Sequence, residues 1–433
     1  MSEIQFTPDF KSTPYWWDAA PRPALPETPL PAAADVVVIG SGNVGLSAAL
    51  TLARGGRDTL VLDAEEIGHG ASTRNAGYVG RTLWAKFGAL AAQLGPERAK
   101  LLANEAIASH HFVVKLIEQE QIACHFSYCG RFIAAETPGQ YAMLERDLEE
   151  MAKAGLEIDG EMVPAAGQRA EVGSDYYRGG MVLRGTGALH PGLFHQGLVD
   201  RVIGAGATVI DNTPVTAIAR DGDGFAVTTP RGTVVARDVI VGTNGYTGAP
   251  TPYMARRMLP VPAYMIVTEP LGPELMKSVL PTGRTLIDSK VNIFWTRPTP
   301  DGERLIFGSR TGMREDDLRV KAGQIRGDML KVFPQLEDIR VSHCWTGNMG
   351  FTFDKLPHTG THQGVEYAMG LCGVGIPMGT YLGHKTALRV LGDPAAATAF
   401  DGRPFPTRPF YTGKPWFLPL VIAWYNLRDR LAR

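Results

Sequence analysis

Residues 35–80 limit what this chain can fold into more than any other stretch. Asp35-Val36-Val37-Val38-Ile39 is short, β-branched and apolar and ends at a glycine, the pattern of a parallel strand buried on both faces. Gly40-Ser41-Gly42-Asn43-Val44-Gly45 follows at once and opens a helical segment with Leu46, Ala49, Leu50 and Ala53 at helical spacing. Gly55-Gly56 ends that helix, and Thr59-Leu60-Val61-Leu62 predicts a second strand closed by Asp63. The unit is a βαβ opening with G-x-G-x-x-G where a dinucleotide pyrophosphate needs it. Gly40 permits the tight turn, Gly42 lets the backbone approach the phosphates, and Gly45 lets helix and strand pack closely. The helix start turns free N–H groups and its positive dipole end toward that site. Asp63, followed by Ala64, lies about 20 residues on, where a carboxylate accepts hydrogen bonds from ribose hydroxyls.

The segment Ile67-Gly68-His69-Gly70-Ala71-Ser72-Thr73-Arg74-Asn75-Ala76-Gly77 is mostly small and polar. Its backbone can lie close to a ligand and donate hydrogen bonds to it. With the preceding glycine motif, this segment resembles the flavoprotein amine oxidases of the D-amino-acid oxidase superfamily. Within that superfamily the chain is most similar to gamma-glutamylputrescine oxidoreductase-like proteins. The likeness is carried by residues 70–77, by Val332-Phe333-Pro334-Gln335-Leu336 followed by Trp345-Thr346-Gly347-Asn348, by Leu356-Pro357-His358-Thr359-Gly360, by the glycine turn at 373–375 and by residues 425–431.

The resemblance implies FAD, with residues 71–77 (Ala71, Ser72, Arg74, Asn75, Ala76 and Gly77 among them) passing between pyrophosphate and flavin ring. It implies that the Val215 backbone contacts the adenine and that Thr243-Asn244-Gly245 ends a strand near the cofactor. Gly373-Val374-Gly375-Ile376 opens a long helix whose N-terminus can face the flavin carbonyl that becomes negative on reduction. Relatives with covalent flavin use a histidine near the Arg-Asn segment or a cysteine near 345–350. Here those positions hold Asn75 and Gly347, with Cys344 close by, so non-covalent FAD is expected.

The expected fold is α/β: a Rossmann-type, glutathione-reductase-like FAD-binding domain with an inserted α+β substrate domain on an antiparallel sheet. The FAD-binding domain is expected at 34–84, 185–250 and 345–400, and the substrate domain at 85–184 and 251–344. A Pro-rich arm (1–33) and a tail (401–433) flank them. Tyr15-Trp16-Trp17 in the arm is expected to pack on the body or on a partner subunit. His190, followed by Pro191, is read as a helix-entry residue rather than a catalyst. The aromatic tail around 416–425 is expected to pack on the body, with contact to a membrane or a subunit as the alternative.

Tyr78, Tyr264, Trp295 and Met349 are candidate pocket walls, each also readable as core. Met349 stands where glycine-oxidase-like relatives carry an arginine for the substrate carboxylate. An apolar side chain cannot pair a buried carboxylate, which argues against simple α-amino acids unless Arg297 or Arg310 supplies the charge. Both arginines are equally readable as solvated strand-end residues. The expected reaction is oxidation of an amine C–N bond to an imine that hydrolyses to aldehyde plus amine, with oxygen or another acceptor taking the electrons. The amine is a small-molecule substrate, such as a γ-glutamylated diamine or an N-substituted amino acid. The alternatives are an amino-acid or opine dehydrogenase feeding a quinone or partner protein, and an FAD-holding subunit without turnover.

Composition narrows the partners. A formal net charge of -1, with no basic stripe, argues against nucleic acid. The four cysteines show neither C-x-x-C nor zinc spacing, so reduced thiols, no metal site and a cytoplasmic location are expected. The N-terminus has no signal-peptide pattern, and no apolar run reaches membrane-spanning length. Oligomeric state is left open.

Overall fold

The computed structural model describes residues 6–22, 24–290, 292–309, 317–417, 419–421 and 424. Two large sheets carry it. The first is centred on Ala33–Ile39. This strand pairs in parallel with Thr59–Leu62 on one side, Val38 opposite Val61, and with Gly232–Val241 on the other, Val38 opposite Ile240. Thr208–Ile210 extends one edge in parallel, and Gly224–Thr229 and Ala217–Asp221 extend the other as antiparallel strands. The hairpin of His358–His362 and Val365–Met369 joins beside the end of Gly232–Val241.

Side chains alternate between the faces of a strand. Val36 and Val38 therefore enter a core formed with the helices Asn43–Arg54, Pro191–Gly204 and Gly375–Leu391. Val37 and Ile39 enter a second core with Phe225, Val227, Val234 and Met254. The strand is covered on both sides, as its unbroken β-branched run requires.

The second sheet runs in the order Phe6–Lys11, Val341–Phe351, Leu259–Thr268, Leu305–Ser309, Phe294–Pro298, Thr285–Asp288, Arg131–Ala134, Gly179–Leu183, Gly160–Pro164. It is mixed rather than wholly antiparallel, because Phe6–Lys11 runs parallel to Val341–Phe351 and Thr285–Asp288 runs parallel to Arg131–Ala134. The helix Leu318–Val332 covers one face, packing Ala322, Ile325 and Met329 with Tyr264, Ile266, Phe307 and Cys344. The opposite face presents Ala263, Met265, Trp295 and Trp345 to Trp16 and to the nucleotide-binding half.

Element boundaries moved where local hydrogen bonding overrides apolar pattern. The apolar sequence at 291–295 predicts a strand; the strand is Phe294–Pro298, and just before it Asp288 Oδ1 accepts from the Lys290 and Phe294 N–H groups. The sequence predicts a helix over Ala322–Phe333; it starts earlier, at Leu318, capped by Asp317 Oδ1 on the Arg319 and Val320 N–H groups. Apolar residues at three and four spacing predict helix over 82–120; it breaks at Gly95, φ +85°, into Phe87–Leu94 and Pro96–Gln119. Val341–Phe351 runs unbroken past residue 345, so Gly347 and Met349 reach the centre of the molecule on the second sheet.

Candidate active site

One cavity of about 470 Å³ lies between the two sheets, within the usual range for a small-molecule or cofactor site. Two helix starts converge on it. Gly42, Asn43 and Val44 line it from the first helix, and Gly373, Gly375 and Ile376 from the helix Gly375–Leu391. The helices pack closely because Gly383 rests on the Val44 backbone and Ser47 Oγ donates to the Thr380 carbonyl at 2.6 Å.

The first glycine turn is built as its spacing implies. Gly40 has φ +97°, and a Cβ on Gly45 would overlap the Gly40 carbonyl oxygen. A Cβ on Gly42 would stand 3.0 Å from Ser72 Oγ, which itself accepts the Asn43 N–H at 3.0 Å. Asn43 Oδ1 is buried without a hydrogen-bond partner. Asp63 Oδ2 accepts from Ser41 N and Ser41 Oγ at 2.7 and 2.6 Å, and Oδ1 accepts from Glu65 N at 3.1 Å. His195 Nε2–H donates to the Ser41 carbonyl at 2.8 Å. Burial lowers the His195 pKa, keeping the ring neutral.

Residues 71–76 are fixed by three indoles. Trp16 Nε1 donates to the Asn75 carbonyl, Trp17 Nε1 to Thr73 Oγ1 and Trp345 Nε1 to the Arg74 carbonyl, each at 2.9 Å. The aromatic arm thus packs on the body, against the cavity loop. Asn75 folds the loop further, donating to the Ala71 and Ser72 carbonyls and accepting from Gly77 N. Arg74 is committed to the His69 and Thr346 carbonyls. On the far side, Asn244, at φ +43°, accepts from Gly370 N and Leu371 N, tying one turn to the other.

The remaining wall is apolar. Tyr78, Trp84, Met265, Ile287, Ile293, Trp295 and Met349 line it. The Tyr78 hydroxyl donates to the Thr296 and Leu286 carbonyls at 2.8 and 3.1 Å, and burial pushes its phenol pKa well up. Gly308 leaves the space that the Trp295 ring occupies. Trp84 lies over the second glycine turn, its Cε3 3.5 Å from where a Gly373 Cβ would be.

Among the residues singled out from the sequence, Ser41, Asp63, Ala64, Ala71, Ser72, Asn75, Ala76, Val215, Thr243 and Gly347 line the cavity. Gly45, Gly77, Gly245 and Val374 shape its turns from behind the lining. Tyr264 is not a wall. Strand alternation turns it to the opposite face, beneath the helix Leu318–Val332, where it is buried. Arg297 is neither solvated nor free for a ligand: buried, it donates to the Ala76, Leu189 and Pro298 carbonyls. Arg310 lies outside the described residues. Cys344 faces the same core as Tyr264, away from the cavity, and burial pushes its thiol up to about 12. The His190 ring caps the helix Pro191–Gly204 by accepting from Leu193 N. Trp84, Ile287, Ile293 and His195 were not found from sequence. Only His195, on an otherwise apolar helix face, carried a signal.

Comparison with known proteins agrees with this architecture. Residues 35–389 match the family model described as FAD dependent oxidoreductase, DAO. The chain is 31% identical over 427 residues to a probable oxidoreductase OrdL of Rhizobium meliloti, covering 96% of this chain and 97% of that one. It is 31% identical over 404 residues to the gamma-glutamylputrescine oxidoreductase of Escherichia coli, covering 92% and 93%. The crystal structure of glycine oxidase from Geobacillus kaustophilus superposes with a TM-score of 0.71 at 21% identity, over 88% of this chain and 99% of that one. The cradle between two helix starts and the match along most of the chain lead to one assignment: the chain belongs to the DAO family of FAD-dependent oxidoreductases.

Proposed function

We propose that this protein oxidises the C–N bond of an aliphatic amine, such as a γ-glutamylated diamine, to an imine that water hydrolyses to an aldehyde plus ammonia, or plus an amine where the nitrogen is substituted. Oxygen or another acceptor then takes the electrons. The observation that carries this reading is the uncharged wall of Tyr78, Trp84, Trp295 and Met349 facing the second helix start. Such a wall desolvates a neutral amine and offers no partner for a carboxylate on the reacting carbon. The 31% identity to a gamma-glutamylputrescine oxidoreductase supports the same substrate class.

The cavity fits FAD. The side-chain-free backbone at Gly42, where a Cβ would crowd Ser72 Oγ, the buried unpartnered Asn43 Oδ1 and two helix N-termini on one cavity suit a dinucleotide that is negative at its phosphates and polar along its sugar chain. Gly42, Asn43 and Ser72 would hold the pyrophosphate region, Asp63 a ribose, Val215 the adenine, and the Gly375 helix start the flavin end. Bound FAD supplies the two-electron acceptor for the substrate carbon. Tyr78, Trp84 and Trp295 exclude water and hold the substrate carbon in place, and Met349 fills the wall without adding charge.

The test is anaerobic mixing of the FAD-loaded protein with γ-glutamylated diamines, polyamines, N-methyl amino acids and free amino acids, following loss of the oxidised-flavin absorbance. Bleaching by an amine that bears no carboxylate on the carbon to be oxidised, a γ-glutamylated diamine or a polyamine, is the expected result. Bleaching by glycine or sarcosine instead would overturn the reading.

A further inference from the structure

Arg131 is a buried cation with no carboxylate to neutralise it. It is 9% exposed, and its Nε and Nη2 have no hydrogen-bond partner. The titratable groups that act on it are Tyr78 and Cys129, a phenol and a thiol. A guanidinium stays charged even when buried, and leaving it unpaired is costly, so one without a counter-charge marks a place for an anion. The charges around it are matched already. Arg81 Nη2 donates to Glu157 at 3.0 Å, and Lys86 and Asp147 offset each other. Gly80 keeps the space beside Arg131 open, since a Cβ there would stand 3.2 Å from Arg131 Nη1.

The second sheet sets this cation beside the cavity. Ile133 lies opposite Ile287 on one neighbouring strand, and Arg131 lies opposite Leu183 on the other. Residues of like parity share a face, so Arg131 and Ile133 are on the face where Ile287 lines the cavity. The guanidinium carbon is 4.9 Å from the centroid of the Tyr78 ring, which lines the cavity too. Next to it Ile133, Leu183 and Arg81 line a smaller cavity of about 40 Å³. One water needs about 10–15 Å³ on this measure, so a carboxylate group has room there. Arg81 Nε is also buried without a partner. The loop 80–86 covers both spaces, turning Trp84 to the main cavity and Arg81, Thr82 and Leu83 to the small one.

We propose that Arg131, with Arg81, receives the carboxylate at the end of the substrate remote from the carbon that is oxidised. This rests on the amine-oxidation reading above, because a γ-glutamylated diamine carries its carboxylate at the end opposite its free amine. A guanidinium fork meets a carboxylate with two parallel hydrogen bonds. The uncharged wall takes the neutral amine and Arg131 takes the distant charge. The pair selects a γ-glutamylated diamine over a simple polyamine.

The test uses the FAD-loaded chain and two probes that cannot be oxidised at an amine. N-butylglutaramate has the remote carboxylate and no amine; N-butylpentanamide has neither. Binding is read from the shift of the flavin absorbance band. The wild type is expected to bind the charged probe about 10- to 100-fold more tightly than the neutral one. Arg131→Gln should abolish that preference while leaving the neutral probe's affinity and the flavin spectrum unchanged. Arg131→Lys keeps the charge but not the fork, so it should retain part of the preference. Equal affinities in the wild type would overturn the proposal, and so would a preference that both variants leave intact. Chloride that raises the melting temperature of the wild type but not of Arg131→Gln, and that the charged probe does not displace, would also overturn it, since an inorganic anion then holds the site. The wild-type preference and Arg131→Lys decide the matter if Arg131→Gln does not fold. Because neither probe turns over, these results are independent of which amine bleaches the flavin.

Discussion

Gly383 rests directly on Val44: a Cβ at residue 383 would overlap the Val44 carbonyl oxygen and stand 3.0 Å from its Cα. These residues belong to the two helices whose N-termini open onto the cofactor cavity. Alanine is the better helix former by about 1 kcal/mol, but backbone cannot yield as a flexible side chain can. Gly383→Ala is expected to cost about 1–3 kcal/mol net, as overpacking usually does. It should also weaken FAD retention by moving the helix starts apart. Melting temperature and flavin content after gel filtration measure both effects.

The indole donors on the cavity loop make a second prediction. Trp16→Phe keeps a ring in place but removes the donor to the Asn75 carbonyl. Losing one such bond costs about 1 kcal/mol, which is about a fivefold weaker Kd if the loop is ordered only in the FAD-bound state. Titrating apo-protein with FAD by flavin fluorescence reads the change. An unchanged Kd with a lowered melting temperature would limit Trp16 to stability.

How much of this was legible beforehand follows from sequence distance. The cradle around Gly40–Gly45 and Asp63 could be read because each constraint acts within about one βαβ unit. The substrate wall could not. Trp84 and the pair Ile287 and Ile293 come from segments about 200 residues apart, and only the packing of the second sheet against the loop that carries Trp84 brings them together. Tyr264 and Met265 are neighbours on one strand, yet only Met265 lines the cavity. Nothing local to that run of apolar residues tells which parity faces the cofactor. Arg297 was unreadable for a different reason: its partners are backbone carbonyls, which no sequence pattern marks.

The wall supplies a third prediction. Trp84→Ala removes an aromatic surface over the second glycine turn, a loss of about 1.5–3 kcal/mol of apolar contact. At about tenfold per 1.4 kcal/mol, kcat/KM for the best amine should fall roughly 10- to 100-fold with FAD retained. Met349→Arg places a cation in the same wall. Steady-state assays should show a selectivity ratio shifted toward amines with a carboxylate on the reacting carbon. An unchanged ratio would remove Met349 from substrate selection.

Asp288 gives a prediction in pH. Its carboxyl is buried beside Lys290, with Glu136 and Tyr177 near, and desolvation raises its pKa to about 7. A carboxyl whose folded pKa lies above its unfolded value of about 3.9 favours folding at low pH and loses that contribution as pH rises through about 7. Asp288→Asn keeps an acceptor for the Phe294 N–H and cannot titrate. The melting temperature of the variant minus that of the wild type should therefore rise between about pH 5.5 and 8.5. A flat difference would place the Asp288 pKa elsewhere.

The strand Val341–Phe351 has a consequence for how the chain is made. Its outer edge is closed by Phe6–Lys11, and the first βαβ unit is covered by the helix Gly375–Leu391. A ribosome releases the glycine-rich motif early, but the surfaces that bury it emerge some 330 residues later. Such pairings make folding slow and leave apolar strands uncovered meanwhile. A chain truncated before residue 375 therefore keeps the whole dinucleotide motif and still has no closed site to load, so cofactor capture belongs to the end of synthesis rather than its beginning.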